Sequence, residues 1–341
     1  MKDVAQLAGV SVQTVSAVVN DKPGITDETR ARVLAAIEQL GYRPYSVARS
    51  LRTRQTRTIA LIVSDIANPV FATMASAAED YAHSFGYSLV LHNTHGDVER
   101  ETSYIQTATQ RWVDGVLFVS TGDQMTSLDA FQAAGIPSVA IDRIPEEYTG
   151  PSVTLDNVKA GRMATEHLLD LGHTRIAHIG GPKKLRLARE RLVGCRQAIE
   201  DRGLPPSPCI PADGNWQCQD GYQVMQSILR SNSRPTAVFA ANDRMAIGAM
   251  RSVYEAGLRV PDDISIIGLD DIEVAAFQIP PLTTIRQSFV ELATLAVQLL
   301  LEILDEGEPA QTQIMIEPAL VVRQSTAPPN PKQVARQAGV V

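Results

Sequence analysis

Apolar positions along this chain fall into two textures. In the first 45 residues they are sparse and recur at helical spacing: Val4, Ala5, Leu7 and Ala8 stop at Gly9, and Val15, Val18 and Val19 follow Ser11. A third set, Val33, Leu34, Ile37 and Leu40, follows Thr26 as N-cap with Asp27 and Glu28 in the first turn, and Gly41 and Pro44 end it. The pattern predicts three short helices. The first two are too short to hold themselves together, so a small shared core of Leu7, Val15, Val19, Val33, Leu34 and Ile37 is expected, with the third helix covering the pair.

Beyond residue 58 the apolar residues gather into runs of strand length: "TIALIVSD", "YSLVLHNT", "DGVLFVST", "IPSVAIDR", "TRIAHIGG", "PTAVFAAND" and "ISIIGLDD". They alternate with helical stretches such as 72–85, 99–112 and 159–171. Continuous apolar strands separated by helices predict parallel sheets covered on both faces. The alternation runs to about 287, too long for one sheet, and restarts at "TRIAHIGG". Two doubly wound α/β subdomains with a cleft between them follow. The last sixteen residues, 326–341, lack apolar periodicity and read as a loose tail.

Composition narrows the class. A hydrophobic share of 44% with 5% aromatics describes an ordinary soluble globular chain. No run approaches the ~18 apolar residues of a membrane helix, and no secretory h-region opens the sequence. Cys195, Cys209 and Cys218 lack zinc-type spacing and fit a reducing cytoplasm. Charge is uneven: residues 1–58 hold nine Lys or Arg against five acids, a net of +4, which leaves −11 for the rest of a chain whose total is −7. A basic head on an acidic body points the head alone at a polyanion.

The opening pair, a helix, a tight turn at Gly9 and a second helix capped by Ser11, is the helix-turn-helix pattern, whose second helix enters the DNA major groove. Gln13 suits adenine edges, and the Thr14 and Ser16 hydroxyls suit phosphates. A plain helical hairpin has the same spacing; the basic surplus decides for DNA. Residues 45–58, "YSVARSLRTRQTRT", carry four arginines and no acid. They read either as a solvated tether or, through Val47, Ala48 and Leu51, as a helical turn that forms on the minor groove with an apolar wedge.

In the body, polar residues stand where strands end: Asp65, Asn93, Asp142 with Arg143, Asn242 with Asp243, and Asp270 with Asp271. Ligands of open α/β sheets bind there, and carboxylates, amides and an arginine suit a hydroxyl-rich ligand. Trp216 could stack on a sugar ring. Taken singly, each has a structural alternative, such as an N-cap for Asp270 or packing for Trp216. No nucleophile elbow, Walker loop, dinucleotide fingerprint or zinc helix is present, so no enzyme and no cofactor are expected. His92 and His95 lack a third ligand. "IGGPKKL" could cradle a phosphate, although Gly180 and Gly181 also serve simply to turn the chain.

Together these residues resemble the LacI/GalR family of bacterial transcription regulators over nearly the whole length. The resemblance is carried by "DVAQLAGVSVQTVSAVVN", "ITDETRARVLAAIEQLGYRPYSVARSLRT", "GHTRIAHIGG", "AANDRMAIGAMRSVYEAGLRVPDDISIIGLDD" and "IPPLTTIRQ". It implies a helix-turn-helix head (1–44), a hinge (45–57), and a periplasmic-binding-protein-like body for effector and dimerisation (58–325). It also implies that the body's halves are not contiguous, with about 58–157 and 287–316 in one and about 158–286 and 317–325 in the other.

The implied function is a homodimeric repressor of double-stranded operator DNA, controlled by a sugar-like effector or related polyol in the cleft. By similarity, Ser11, Val12, Gln13, Thr14, Ser16, Ala17 and Asn20 face DNA, and Val47, Ala48 and Leu51 form the minor-groove hinge. Asn68, Phe71, Asp142, Arg143, Arg189, Trp216, Asn242 and Asp270 fall on effector positions. Three departures stand out. Ala17 offers only a methyl where relatives place a base-reading side chain, Tyr45 replaces the usual Asn, and no Thr caps the first helix, which puts the expected start upstream.

Two rivals remain. A transporter's solute-binding protein would share the body, but needs a signal peptide and no basic head. An enzyme on the same scaffold would need a nucleophile and base.

Overall fold

Gly9 ends the first helix with φ +64°, the left-handed conformation that costs glycine nothing, and the chain turns there directly into the second. The computed structural model describes residues 1–20, 22–42, 55–108, 110, 113–122, 125–205, 209–211, 216–231, 234–307 and 311–330. Two units result, Met1–Thr56 and Arg57–Val341.

The first unit holds α1 (Lys2–Ala8), α2 (Val12–Val19) and α3 (Asp27–Gln39). Ser11 Oγ accepts the Thr14 N–H at 3.0 Å and Thr26 Oγ1 accepts the Thr29 N–H at 3.4 Å, so both expected caps form. The core consists of Val4, Ala5, Ala8, Val15, Val18, Val33 and Ala36, with Val19 and Ile37 packed beside it. Leu7 and Leu34, expected inside, are about half exposed. Helices this short approach closely through small residues, and Ala5, Ala8 and Ala36 take the contact while the leucines flank it. The hinge residues Val47, Ala48 and Leu51 lie outside the described residues.

The second unit contains two six-stranded sheets. The first has the order β11-β5-β4-β3-β1-β2, from β1 (Thr58–Val63), β2 (Ser88–Asn93), β3 (Gly115–Phe118), β4 (Ser138–Ile141), β5 (Ser152–Leu155) and β11 (Gln313–Ile316), all paired in parallel. Ile59, Leu61 and Val63 enter one apolar cluster and Ala60 and Ile62 another, so β1 is buried on both faces. Helices α4 (Pro69–Ser84), α5 (Val98–Thr107) and α6 (Thr126–Ala134) connect its strands, and α12 (Phe289–Glu306) returns to it late in the chain.

The second sheet has the order β12-β10-β9-β8-β6-β7, from β6 (Ile176–Gly180), β7 (Cys209–Pro211), β8 (Ala237–Ala240), β9 (Ser265–Asp270), β10 (Thr283–Arg286) and β12 (Ala319–Val321). Among the described residues only the β10/β12 pair is antiparallel. Its helices are α7 (Asn157–Asp170), α8 (Arg186–Asp201), α9 (Cys218–Arg230), α10 (Asp243–Glu255) and the single turn α11 (Glu273–Ala276). The chain passes between the sheets three times: after β5, after β10, and between β11 and β12.

The supposed loose tail is fixed at its start. Ala327 O accepts from Ser265 Oγ at 3.0 Å and contacts His173 Nε2 at 2.9 Å, and Thr326 Oγ1 meets His167 Nε2 at 2.9 Å. Residues 326–330 continue the body because backbone groups, not an apolar face, hold them, and periodicity cannot report that. Residues 331–341 lie outside the described residues.

Candidate functional site

In both sheets the strand order reverses beside the first strand, β1 in one and β6 in the other, and ligands of open sheets bind at such switch points. A cavity of about 220 Å3 lies there, lined by residues that follow the carboxyl ends of β1, β2, β3 and β4 and of β6 and β7. From the first half come Asp65, Asn68, Phe71 and Arg143; from the second come Lys184, Trp216 and Gln217.

Trp216 anchors the site. The Arg143 guanidinium lies 5.9 Å from its ring and 5.0 Å from that of Phe71, and the Arg191 guanidinium lies 5.6 Å from Trp216 on another approach. Arg143 Nη1 donates to Ser64 Oγ at 3.0 Å. A Cβ on Gly181 would stand 2.0 Å from Trp216 Cη2. The glycine in "IGGPKKL" therefore makes room for the indole, a reason that neither a phosphate cradle nor a chain turn supplies.

Asp142 and Asp270 do not line this cavity but stand behind it, buried. Asp142 Oδ1 accepts from Gln287 Nε2 at 2.7 Å and Oδ2 lies 3.9 Å from Arg143 Nε. Arg191 donates to Asn157 Oδ1 at 2.8 Å, to the Ala241 carbonyl at 2.7 Å and to Gln287 Oε1 at 3.4 Å. A continuous chain, Asp142 to Gln287 to Arg191 to Asn157, thus links the two halves. Burial raises the Asp270 carboxyl well above the usual carboxylate range, against the pull of Arg191. Burial works against the Arg191 charge in turn, and Asp270 and Asp142 support it.

Three of these residues bend the backbone into the sparsely populated positive-φ region: Asp142 at +60°, Trp216 at +62° and Asp270 at +128°. Such strain persists where surrounding structure fixes a side chain for a task. Asn68 Oδ1, Arg143 Nε and Trp216 Nε1 are buried without a hydrogen-bond partner, and unpaired polar atoms gathered at one cavity indicate a polar ligand.

Two expected positions play other parts. Asn242 caps α10, accepting the Met245 N–H at 2.9 Å, and donates to the Trp216 carbonyl at 3.2 Å, so it holds the tryptophan from behind. Arg189 also lies elsewhere. It does not line the cavity; its Nη2 donates to Glu146 Oε2 at 2.6 Å and it is partly exposed. Arg191, one position pair further along α8, turns inward instead. Helical spacing separates the two by about 200°, and nothing in "LARERL" says which arginine faces in. Gln287 was also missed, because it follows a strand too polar to stand out.

On the head, Ser11, Val12 and Gln13 are exposed, and Thr14, Ser16, Ala17 and Asn20 are half-buried along the same helix, with Val15 and Val18 turned to the core. The Ser11 and Thr14 hydroxyls bond each other at 2.9 Å, and Asn20 Nδ2 donates to the Ser16 carbonyl. Gln13 therefore stands out most freely. Among the described residues, no three His, Cys, Asp or Glu side chains gather as a metal site, and no helix is long and apolar enough to cross a membrane.

A helix-turn-helix head followed by a two-sheet binding body defines a ligand-responsive transcription regulator, not an enzyme. The chain belongs to the LacI family: the family of "bacterial regulatory proteins, lacI family" matches residues 1–45, and the "periplasmic binding protein-like domain" matches 165–326. The ribose operon repressor of Escherichia coli (strain K12) is 39% identical over 326 residues, covering 95% of this chain and 99% of that protein. The transcriptional repressor PurR of Haemophilus influenzae (strain PittEE) is 39% identical over 329 residues, covering 95% and 98%. Among solved structures, the lac repressor dimer bound to operator and the anti-inducer ONPF superposes with a TM-score of 0.87 at 33% identity, covering 95% and 98%. A LacI family regulator from Enterococcus faecium with bound ribose gives 0.72 at 31% identity, covering 80% and 99%.

Proposed function

We infer that this protein is a transcriptional repressor that binds a roughly palindromic operator as a homodimer in the cytoplasm, and whose grip is set by one monosaccharide of the ribose class in the cleft. The carrying observation is the buried chain from Asp142 through Gln287 to Arg191, which joins the two halves beside Trp216. A ligand in the cavity meets Arg143 and Trp216, which touch Asp142 and Arg191 of that chain, and so can favour one arrangement of the halves over another; only such a difference moves an equilibrium. A cavity of about 220 Å3 suits one sugar ring, and relatives that include a ribose operon repressor and a ribose-bound regulator support the ligand class.

Asn68, Phe71, Asp142, Arg143, Trp216, Asn242 and Asp270 are assigned to this site, with Arg191 and Gln287 added and Arg189 removed. Ser11, Val12, Gln13, Thr14, Ser16, Ala17 and Asn20 are assigned to the major groove, and Val47, Ala48 and Leu51 to the hinge contact. The test is selection from a randomised pool of duplex oligonucleotides, followed by binding assays on the enriched sequence with and without D-ribose. An enriched palindrome whose affinity changes with D-ribose is expected; no enriched motif would overturn the reading.

A further inference from the structure

The outer side of the cavity is crossed by side chains from both halves. Asp65 follows β1, and its Oδ1 accepts the Ala67 N–H at 3.1 Å, which fixes the carboxylate against its own turn. Oδ2 accepts from Gln217 Nε2 at 3.4 Å and lies 3.8 Å from Arg244 Nη1, both in the second half. Arg244 Nη2 donates to Gln217 Oε1. The second-half partners are rooted as firmly: the Gln217 N–H donates to Asp220 Oδ2 at 2.8 Å where α9 begins, and Arg244 stands in the first turn of α10. The Asp65 side chain is 30% exposed, whereas Asn68 and Trp216 are each 4% exposed. The Asp65 end of the crossing therefore lies toward solvent, while the Arg244 side chain is only 16% exposed.

We propose that Asp65, Gln217 and Arg244 form a bar that confines the effector to a single unsubstituted sugar ring and rejects the same sugar carrying a phosphate. This rests on the reading of the cleft as a sugar site. Asp65 and Gln217 of the bar line the cavity, and Asp65 sets a negative charge against an anionic substituent. Specificity of this kind comes from repulsion as much as from fit. Exposed Lys184 and His95 line the same cavity and would suit a phosphate, whereas the Arg244 guanidinium lies beside Asp65 and donates to Gln217. Asp65 is thus the specificity-determining residue: removing it opens the mouth and leaves a cationic rim. Partly exposed pairs are individually weak, so the bar parts readily for entry.

The experiment uses the full chain in a Trp112→Phe background, where Trp216 is the sole tryptophan. Acrylamide quenching without sugar reports closure, and calorimetric titration with D-ribose and with D-ribose 5-phosphate reports selection. Asp65→Ala is expected to raise the quenching constant at least two-fold and the affinity for the phosphate at least ten-fold, with a smaller change for D-ribose. Should that variant not fold, Asp65→Asn carries the expectation for the phosphate, since it removes the charge facing Arg244 while keeping the size of the side chain. Unchanged quenching, or a parent protein that takes the phosphate as well as the free sugar, overturns the bar. If neither sugar binds parent or variant, the ribose-class reading fails and the quenching ratio alone decides the bar.

Discussion

Gly161 and Arg191 touch: a Cβ added to the glycine would stand 2.0 Å from the Arg191 carbonyl oxygen. The reciprocal contact puts a Cβ on Gly194 1.9 Å from the Val158 carbonyl. Helices α7 and α8 therefore meet backbone to backbone, and that close approach sets where Arg191 enters the cleft. The obstacle is main chain, which cannot rotate away. Gly161→Ala should cost about 1–3 kcal/mol and weaken the effector response, seen as a lower melting temperature and a smaller ligand-induced shift.

The two arginines of α8 should separate cleanly. Arg191→Ala leaves Asn157 Oδ1, the Ala241 carbonyl and Gln287 Oε1 without their buried donor, so a loss of roughly 1–3 kcal/mol or more is expected together with weakened effector binding. Arg189→Ala removes a partly exposed pair with Glu146, should cost less than about 1 kcal/mol, and should keep effector binding. Chemical denaturation and calorimetric titration of both variants check this; equal effects would return Arg189 to the site.

These arginines also show what the sequence could and could not convey. Strand runs such as "TIALIVSD" were legible because both faces of each strand are buried, and caps at Ser11 and Thr26 because a side chain must meet an orphan N–H. Asp142, Arg143 and Asp270 were singled out because they follow apolar strands, and Trp216 because an indole can stack on a sugar ring. Gln287, Arg191 and the strands β11 and β12 escaped. The edge strands are half exposed and so carry little apolar signal, and which side of α8 faces inward depends on glycines packing across to α7. Leu7 and Leu34 misled for a related reason, since hydrophobicity does not say which of several apolar residues a small core can admit.

Acid and neutral pH should act oppositely on two buried groups. His178 Nδ1–H donates to the Phe239 carbonyl, 3.1 Å away, and burial lowers its pKa to about 4. A lowered histidine stabilises above its unfolded value near 6.5 and loses that contribution as pH falls toward 4. Relative to the parent, His178→Gln should therefore gain stability as pH drops through this window. Asp243 accepts from Thr284 Oγ1 at 2.6 Å and from the Ile272 N–H at 3.0 Å, yet burial pushes it up to about 7. Its contribution is complete below about 3.8 and is lost as pH rises to 7, so Asp243→Asn should gain on the parent in that direction. Melting curves at half-unit steps from pH 4 to 7 test both signs.

Operator binding should fall steeply with salt, because phosphate contacts release counterions. Gln13→Ala should lose about 1–3 kcal/mol of discrimination at the bases it reads, with little change in non-specific affinity. Titrations on specific and random duplexes at several salt concentrations measure both. An unchanged specificity ratio would remove Gln13 from the reading surface.

The three crossings between the sheets carry one more implication. Ile316 ends a strand of one sheet and Ala319 begins a strand of the other, so neither half can be cut from the gene as an uninterrupted piece. Exchanging ligand preference with a cousin by splicing would demand three simultaneous junctions. Inheritance is thus pushed toward point changes around the cavity, and a borrowed half is rarely a usable spare part.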